Sequence, residues 1–492
     1  MQQVTTAMGT GYLEGVALAQ RKWAATPLVL RARLMGKLRR RIAWGARELA
    51  ETVPTRLPGA LSRTVADTLV AEVLPLAEAC RFLEMDATRI LRTRALGRHG
   101  RPIWLAGVKT EVERAPWGVV LVLAAANYPL LLPGVQTLQA LMAGNAVLWK
   151  PAPGTEIVAF ALRALLLQCG LEPELLTVLD SSVEAGTEAI TAGVDHVVLT
   201  GSAATGTAVL HQLAETLTPA TMELSGCDAV FVLPGADMVH AIRAIGFGLR
   251  FNGSFTCMAP RRLFLVGLAE QEATRFETGL EAALMDFMPV PLGEKTFTLL
   301  QELVADARSQ GADVLLDGSH GELADELETQ VTLITRATPS LKAMQTDIFA
   351  PILSVMRTAD LDEALAASAA CPYALTASVF GPPRAAREVA TRLRVGNVLI
   401  NDVVVPTADP RIGFGGRGRS GFGVTRGTEG LLAMTTLRTI QTQGSRSTRP
   451  YESTGEGHIA FFAGLTEMLH GGGLRARWAG LLRLVKAARN LK

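Results

Sequence analysis

Residues 115–151 read APWGVVLVLAAANYPLLLPGVQTLQALMAGNAVLWKP, and the 35 residues from 115 to 149 carry no charge. An uncharged run of that length raises the question of a membrane span. A spanning helix wants about 20 predominantly apolar residues whose backbone groups are all bonded within the segment. Here Asn127, Pro129, Pro133, Gln136, Gln139 and Asn145 break the run, with glycines between them. The stretch is expected instead to fold as strand, loop, helix and strand in a buried α/β core.

The same grammar extends outward. Residues 12–95 show apolar positions recurring at three and four, as in LRARLMGKLRRRIAWGARELAETV, which predicts helices. Downstream, a helix-like IVAFALRALLLQCG is followed by LLTVLD, and DHVVLT by the turn Gly201-Ser202 and another helical run. Short all-apolar strands alternating with helices predict a parallel sheet covered on both faces. A second α/β run extends from about Val230 to about Asn401. Gly413, Gly415 and Gly418 satisfy G-x-G-x-x-G literally, and Gly9, Gly11 and Gly15 nearly do, but neither set lies between a strand and a helix, where a phosphate-binding turn must be. Gly201-Ser202 has that setting.

Composition narrows the classes further. Of 492 residues, 49% are hydrophobic and 19% charged, which excludes disorder and, at this length, predicts more than one domain. Cys80, Cys169, Cys227, Cys257 and Cys371 are an odd set with no C-x-x-C pair, so neither a zinc site nor a disulfide framework is expected. Net charge is +2 but unevenly spread. Residues 474–492 hold six basic groups and no acid, leaving 42 basic against 46 acidic groups in residues 1–473. Nucleic-acid binding by that body has no electrostatic support. The first residues lack the basic start and apolar run of a signal peptide, so a cytoplasmic location is expected.

Three residues invite a chemical reading. Cys257 lies in FNGSFTCMAP, a polar, small-residue setting for a cysteine; a structural role and a nucleophilic one both remain open. Glu223 lies in TMELSG, in an otherwise uncharged stretch; it reads as a buried base or as an exposed strand end. Asn127 interrupts the longest uncharged run, where its amide could serve an oxyanion or simply a turn.

Together with their surroundings these residues resemble the NAD(P)-dependent, non-acylating aldehyde dehydrogenase superfamily, from about residue 12 to 442. ANYPL (126–130), GNAVLWKP (144–151), VLTGSAATG (198–206), LTPATMELSG (217–226), TCMAP (256–260), DIFAPI (347–352), YALTASVFG (373–381) and FGGRGRSGFG (414–423) follow in the family's order. The separation of 34 between Glu223 and Cys257 is the family's usual one, and the wording is closest to the class 3 and fatty aldehyde dehydrogenase branch. The resemblance implies that Cys257 is the nucleophile, Asn127 an oxyanion donor and Glu223 the base that activates water. It implies NAD or NADP as cofactor, contacted by Lys150, Gly201, Ser202, Gly206, Asp347 and Phe349, a small aldehyde as substrate, and no metal. A CoA-acylating relative generally lacks the glutamate; a member that has lost activity and serves as a binding protein is the third reading.

The implied fold is α/β. It has a Rossmann-type cofactor domain (1–97 and 117–226), an α/β catalytic domain (227–422), and an extended arm (98–116 and 430–442) through which a homodimer or homotetramer would form. Departures from the family are Ser254-Phe255 where glycine-glutamine is usual, Ala125-Ala126 for Pro-Trp, and Asp347 for glutamate. Pro153 stands where NAD-preferring members have a glutamate, which makes NADP use plausible, while Glu156 nearby could restore NAD. Beyond the family core, 443–473 reads as a linker and 474–492 as a basic amphipathic tail. Trp478, Leu481, Leu482, Val485 and Ala488 share one face of that tail, which suggests either contact with the inner face of a membrane or packing on the protein itself.

Overall fold

The computed structural model describes residues 10–57, 61–320, 328–444 and 453–490. The uncharged stretch folds as its turn residues predict: a strand Val119–Leu123, a helix Leu131–Ala143 and a strand Ala146–Lys150. Every residue of that helix is buried, so its all-round apolar surface reflects a core position and not a lipid one. Gly144 ends it with φ +103, a left-handed conformation that releases the chain directly into the next strand.

Numbering the strands of the two large sheets in chain order, the first sheet contains β1 (Val119–Leu123), β2 (Ala146–Lys150), β3 (Leu176–Val178), β4 (His196–Gly201) and β5 (Ala220–Leu224). The second contains β6 (Asp228–Val232), β7 (Pro260–Val266), β8 (Asp313–Leu316), β9 (Thr332–Thr335), β10 (Ile352–Thr358), β11 (Thr376–Phe380) and β12 (Asn397–Ile400). A late strand, β13 (Gly421–Phe422), returns to the edge of the first sheet. The first sheet has the order β13-β5-β4-β1-β2-β3, parallel except for β13. Its winding direction reverses between β1 and β4, and at such a switch point the loops leaving the two carboxyl ends diverge and open a crevice. The second sheet has the order β8-β9-β10-β7-β6-β11-β12, with only β8 antiparallel. Apolar side chains cover both of its faces in separate clusters. The helices Leu28–Trp44 and Leu74–Leu91 pack on each other and on the helix Leu131–Ala143, within the same apolar core as the first sheet.

The contacts divide the chain into two units. Met1–Thr93 with Glu113–Arg438 contains both large sheets, and Arg94–Val112 with Thr439–Lys492 forms the second unit. In the second unit Arg94–Leu96 pairs antiparallel with residues 110–112, so the extended arm begins a few residues before the expected position 98. Two helices, Gly457–His470 and Gly473–Asn490, form an antiparallel hairpin. The expectation of a linker over 443–473 is therefore corrected: IAFFAGLTEMLH is helical because the following helix covers one of its faces. The helices meet at two glycines. A Cβ on Gly464 would lie 2.6 Å from the Leu484 amide nitrogen, and one on Gly480 would lie 2.3 Å from that of Met468. Among the described residues, no helix is long and apolar enough to cross a membrane.

Candidate active site

Asn127 sits in the loop that leaves β1, and Gly201 and Ser202 at the point where β4 turns into the helix Ala203–Thr216. These are the two sides of the switch point. Asn127 is buried, and its carboxamide oxygen accepts from the Tyr128 N–H at 3.1 Å, which leaves the Nδ2 group as the donor. Ser202 caps its helix by accepting from Thr205 N–H at 3.2 Å, and the remaining first-turn amides form a ready site for an anion. Gly206 lies one turn further on. A Cβ there would sit 2.8 Å from Leu224 Cδ1, so glycine lets the helix lie close against β5.

Glu223 occupies β5, a strand that ends at the same crevice. It is buried, not at an exposed strand end, because β13 pairs against it with Gly421 opposite. Only glycine fits there: at φ +94, a Cβ would lie 2.0 Å from the Met222 carbonyl oxygen. Glu223 Oε2 accepts from Thr425 Oγ1 at 2.6 Å, while Oε1 is unpartnered. Burial raises the carboxyl above its ordinary range; the charge of Arg426, the Thr425 hydroxyl and Gln136 pull it back down.

Cys257 lies in the loop before β7, and is less deeply buried than the other four cysteines. Its carbonyl oxygen approaches Gly226, where a Cβ would come within 3.0 Å, so the loop rests on the segment joining β5 to β6. Its neighbour Thr256 shares a 2.7 Å hydrogen bond with the Tyr128 hydroxyl, which ties this loop to that of Asn127. Desolvation pushes the Cys257 thiol well above its usual range; Glu223, Asp228 and Asp347 push the same way and Arg426 opposes them.

Asn127, Gly201, Ser202, Glu223 and Cys257 line one cleft, open to solvent, whose empty space is about 510 Å³. Phe349 lines it too, edge-to-face with Phe255 at 4.9 Å between ring centres. Lys150, Gly206 and Asp347 are not among its lining residues. Lys150 ends β2. Asp347 accepts a short hydrogen bond from the Ser225 hydroxyl, and Ser225 does line the cavity. A nucleophile, an amide donor and a desolvated carboxylate on one cavity beside a helix N-terminus are the parts needed for acyl chemistry through a covalent intermediate.

The family model described as the aldehyde dehydrogenase family matches residues 12–440. The chain belongs to the aldehyde dehydrogenase family. This aldehyde dehydrogenase is an NAD(P)-dependent oxidoreductase that converts an aldehyde to a carboxylic acid. It is 30% identical over 466 residues to a 4,4'-diapolycopene aldehyde oxidase of a Methylomonas species, covering 92% of this chain and 86% of that protein. Its fold is shared with an NADP-dependent glyceraldehyde-3-phosphate dehydrogenase of Bacillus halodurans, crystallised with NADP. There the TM-score is 0.80 and the identity 24%, covering 89% of this chain and 92% of the other. An aldehyde dehydrogenase of Brucella melitensis superposes with a TM-score of 0.80 at 22% identity, over 89% of this chain and 91% of that one.

The surroundings of Glu223 in this aldehyde dehydrogenase leave no mark in the nearby sequence. Thr425 and Arg426 lie about 200 residues beyond Glu223 in VTRGTEG and reach it only because β13 returns to the first sheet. Arg426 is anchored in place: its backbone N–H donates to Gln139 Oε1 at 3.2 Å, its Nη1 to the Thr407 carbonyl at 2.8 Å, and its guanidinium lies 4.4 Å over the Phe414 ring, while its buried Nε has no hydrogen-bond partner. The one signal available in sequence was an arginine following a glycine-rich loop.

Proposed function

We propose that Cys257, Asn127 and Glu223 carry the aldehyde oxidation in the order nucleophile, oxyanion donor and hydrolytic base. The observation that carries this reading is their shared cavity at the switch point of the first sheet. Cys257 gives up its thiol proton, with Glu223 on the same cavity to accept it and pass it to solvent, as its sulfur attacks the carbonyl carbon, and the resulting oxyanion is held by the Asn127 amide and the Cys257 backbone N–H. Bound NAD or NADP supplies the hydride acceptor. Collapse of the oxyanion leaves an acyl thioester on Cys257. Glu223, whose Oε1 has no partner, takes a proton from water as the water attacks that thioester, and the carboxylic acid departs. The half of the chain around the first sheet would hold the cofactor, and the half around the second would carry Cys257.

The residues at the crevice fit a dinucleotide. The Ser202-capped helix suits a pyrophosphate, and Lys150 suits the adenosine ribose. Asp180 follows β3, whose Val178 pairs with Trp149, so it stands beside Lys150, and Glu156 and Glu184 also raise the lysine against its desolvation. Three carboxylates around the ribose position disfavour a 2'-phosphate, which supports NAD over NADP. Among the described residues lining the cavity none is basic, and Leu132, Phe255 and Phe349 form its apolar wall. Those walls support an apolar aldehyde over one that bears a second carboxylate, in keeping with the Methylomonas relative, whose name gives an aldehyde of the hydrocarbon 4,4'-diapolycopene.

The test is turnover of purified protein with long-chain or aromatic aldehydes and either nucleotide, followed as reduced nicotinamide. Cys257→Ala should abolish turnover, whereas Glu223→Gln should retain a single burst of reduced nicotinamide and accumulate acyl-enzyme detectable by intact mass. Unchanged steady turnover in Cys257→Ala would refute the assignment.

The C-terminal hairpin supports a second contact. Leu474, Trp478 and Leu482 are 77%, 62% and 66% exposed and, with Val485, form a stripe on Gly473–Asn490; its other side packs on Gly457–His470 through Gly480 and Ala487. Arg475, Lys486 and Arg489 are exposed on the same helix. A tryptophan-containing apolar stripe with basic neighbours fits an anionic lipid surface. Leu96, Ile103 and Trp104 of the arm are likewise exposed, which supports pairing of subunits through it.

A further inference from the structure

Two residues that do not line the cavity hold its two reactive loops together. Arg63 and Glu72 form an ion pair whose side chains are 2% and 0% exposed. Glu72 Oε2 accepts from the amides of Leu130 and Leu131 at 2.7 and 2.9 Å, at the start of the helix that follows the Asn127 loop. Arg63 Nη2 donates to the Asn127 carbonyl oxygen at 2.7 Å and to Asn252 Oδ1 at 2.6 Å. The Asn252 amide donates in turn to that same Asn127 carbonyl at 3.2 Å and to the Phe255 carbonyl at 3.1 Å, two residues before Cys257.

The cysteine loop needs such restraint. Asn252, Gly253 and Ser254 all have φ near +60, and two of them are not glycine. Backbone of that kind persists only where its surroundings hold it. Arg261 holds the far end, donating to the Ser254 hydroxyl at 2.6 Å and to its carbonyl at 2.7 Å. Arg63 and Asn252 hold the near end and join it to Asn127.

We propose that Arg63, Glu72 and Asn252 form a positioning clamp that fixes the Asn127 amide relative to the Cys257 sulfur, so that the oxyanion donor and nucleophile meet the same carbonyl. The clamp rests on the assignment of Asn127 and Cys257 made above. Arg63 and Glu72 touch neither substrate nor cofactor; they act through the backbone of Asn127, while Asn252 carries the restraint into the cysteine loop. Its contribution is geometric: a misplacement of 1 Å at a reacting centre can cost about 100-fold in rate.

The experiment is a double-mutant cycle on the full chain. Asn252→Gly removes all three side-chain bonds while glycine tolerates the left-handed backbone, so it leaves the fold intact where changes to the buried ion pair threaten it. It should lower kcat on the order of 10- to 100-fold, with the dissociation constant for NAD, read from tryptophan fluorescence, unchanged. In an Asn127→Ala background, where no amide remains to be aimed, the same change should lower kcat little further. Arg63→Lys, which retains the charge but not the fork, should fall between wild type and Asn252→Gly. Full, additive loss in the Asn127→Ala background, or a kcat unmoved by Asn252→Gly, would overturn the clamp. Failure of the underlying assignment has a different signature: Asn127→Ala alone would then leave turnover intact.

Discussion

At the scale of single residues, the balance around Glu223 sets the pH range in which the proposed hydrolysis of the thioester can run. A base works only when deprotonated, so turnover should fall as pH drops through the Glu223 pKa, and burial puts that fall above the ordinary glutamate range. Arg426 is the first of the groups that oppose burial. Replacing it with methionine removes the opposing cation, so the acidic limb of the kcat profile should move to higher pH by about one unit. A limb that stays in place in Arg426→Met would show that the guanidinium does not act on the base. The three residues proposed to react, which share one cavity, were visible in sequence because each stands out against its surroundings. Asn127 and Glu223 interrupt apolar stretches, and Cys257 sits among polar residues. The partners of Glu223 were not legible, since a threonine and an arginine 202 and 203 positions away carry no local mark.

At the scale of elements, the stretch at 115–149 was readable because its prolines, glycines and amides fall where strands must turn. The C-terminal hairpin was only half readable. The periodicity of 474–492 predicted a helix, but the polar, turn-rich stretch 444–457 suggested a linker over 443–473, and the covering partner was hidden. Nothing local marks Gly464 and Gly480 as a contact, because each matters only when the other helix arrives. The hairpin's exposed stripe makes a direct prediction. Wild-type protein should co-sediment with vesicles containing an anionic phospholipid and be released by high salt. Changing Leu474, Trp478 and Leu482 together to glutamine should leave it in the supernatant, and neutralising Arg475, Lys486 and Arg489 should weaken binding by about 1 kcal/mol for each charge removed. Equal sedimentation of wild type and the glutamine variant would remove the lipid reading.

At the scale of the whole molecule, the two sheets and the arm were foreseeable in kind, whereas the arm's start at Arg94 and the return of β13 to the first sheet depend on long-range pairing. The exposed arm residues Leu96, Ile103 and Trp104 are where the proposed pairing of subunits would be disturbed. Ile103→Glu with Trp104→Glu should convert an oligomer into monomers by light scattering, with the far-ultraviolet circular dichroism unchanged. An unaltered mass would direct the search for the subunit contact elsewhere.

The return of β13 also bears on how the protein is made. Glu223 becomes a shielded strand residue only when Gly421 and Phe422 have been laid against it, and its hydroxyl partner Thr425 follows shortly afterwards. A ribosome that has released the first 400 residues has already delivered Asn127, Glu223 and Cys257, yet the base still lacks its edge strand and its guanidinium. Synthesis thus imposes an order of events: the proposed nucleophile leaves the ribosome well before the strand that shields the proposed base.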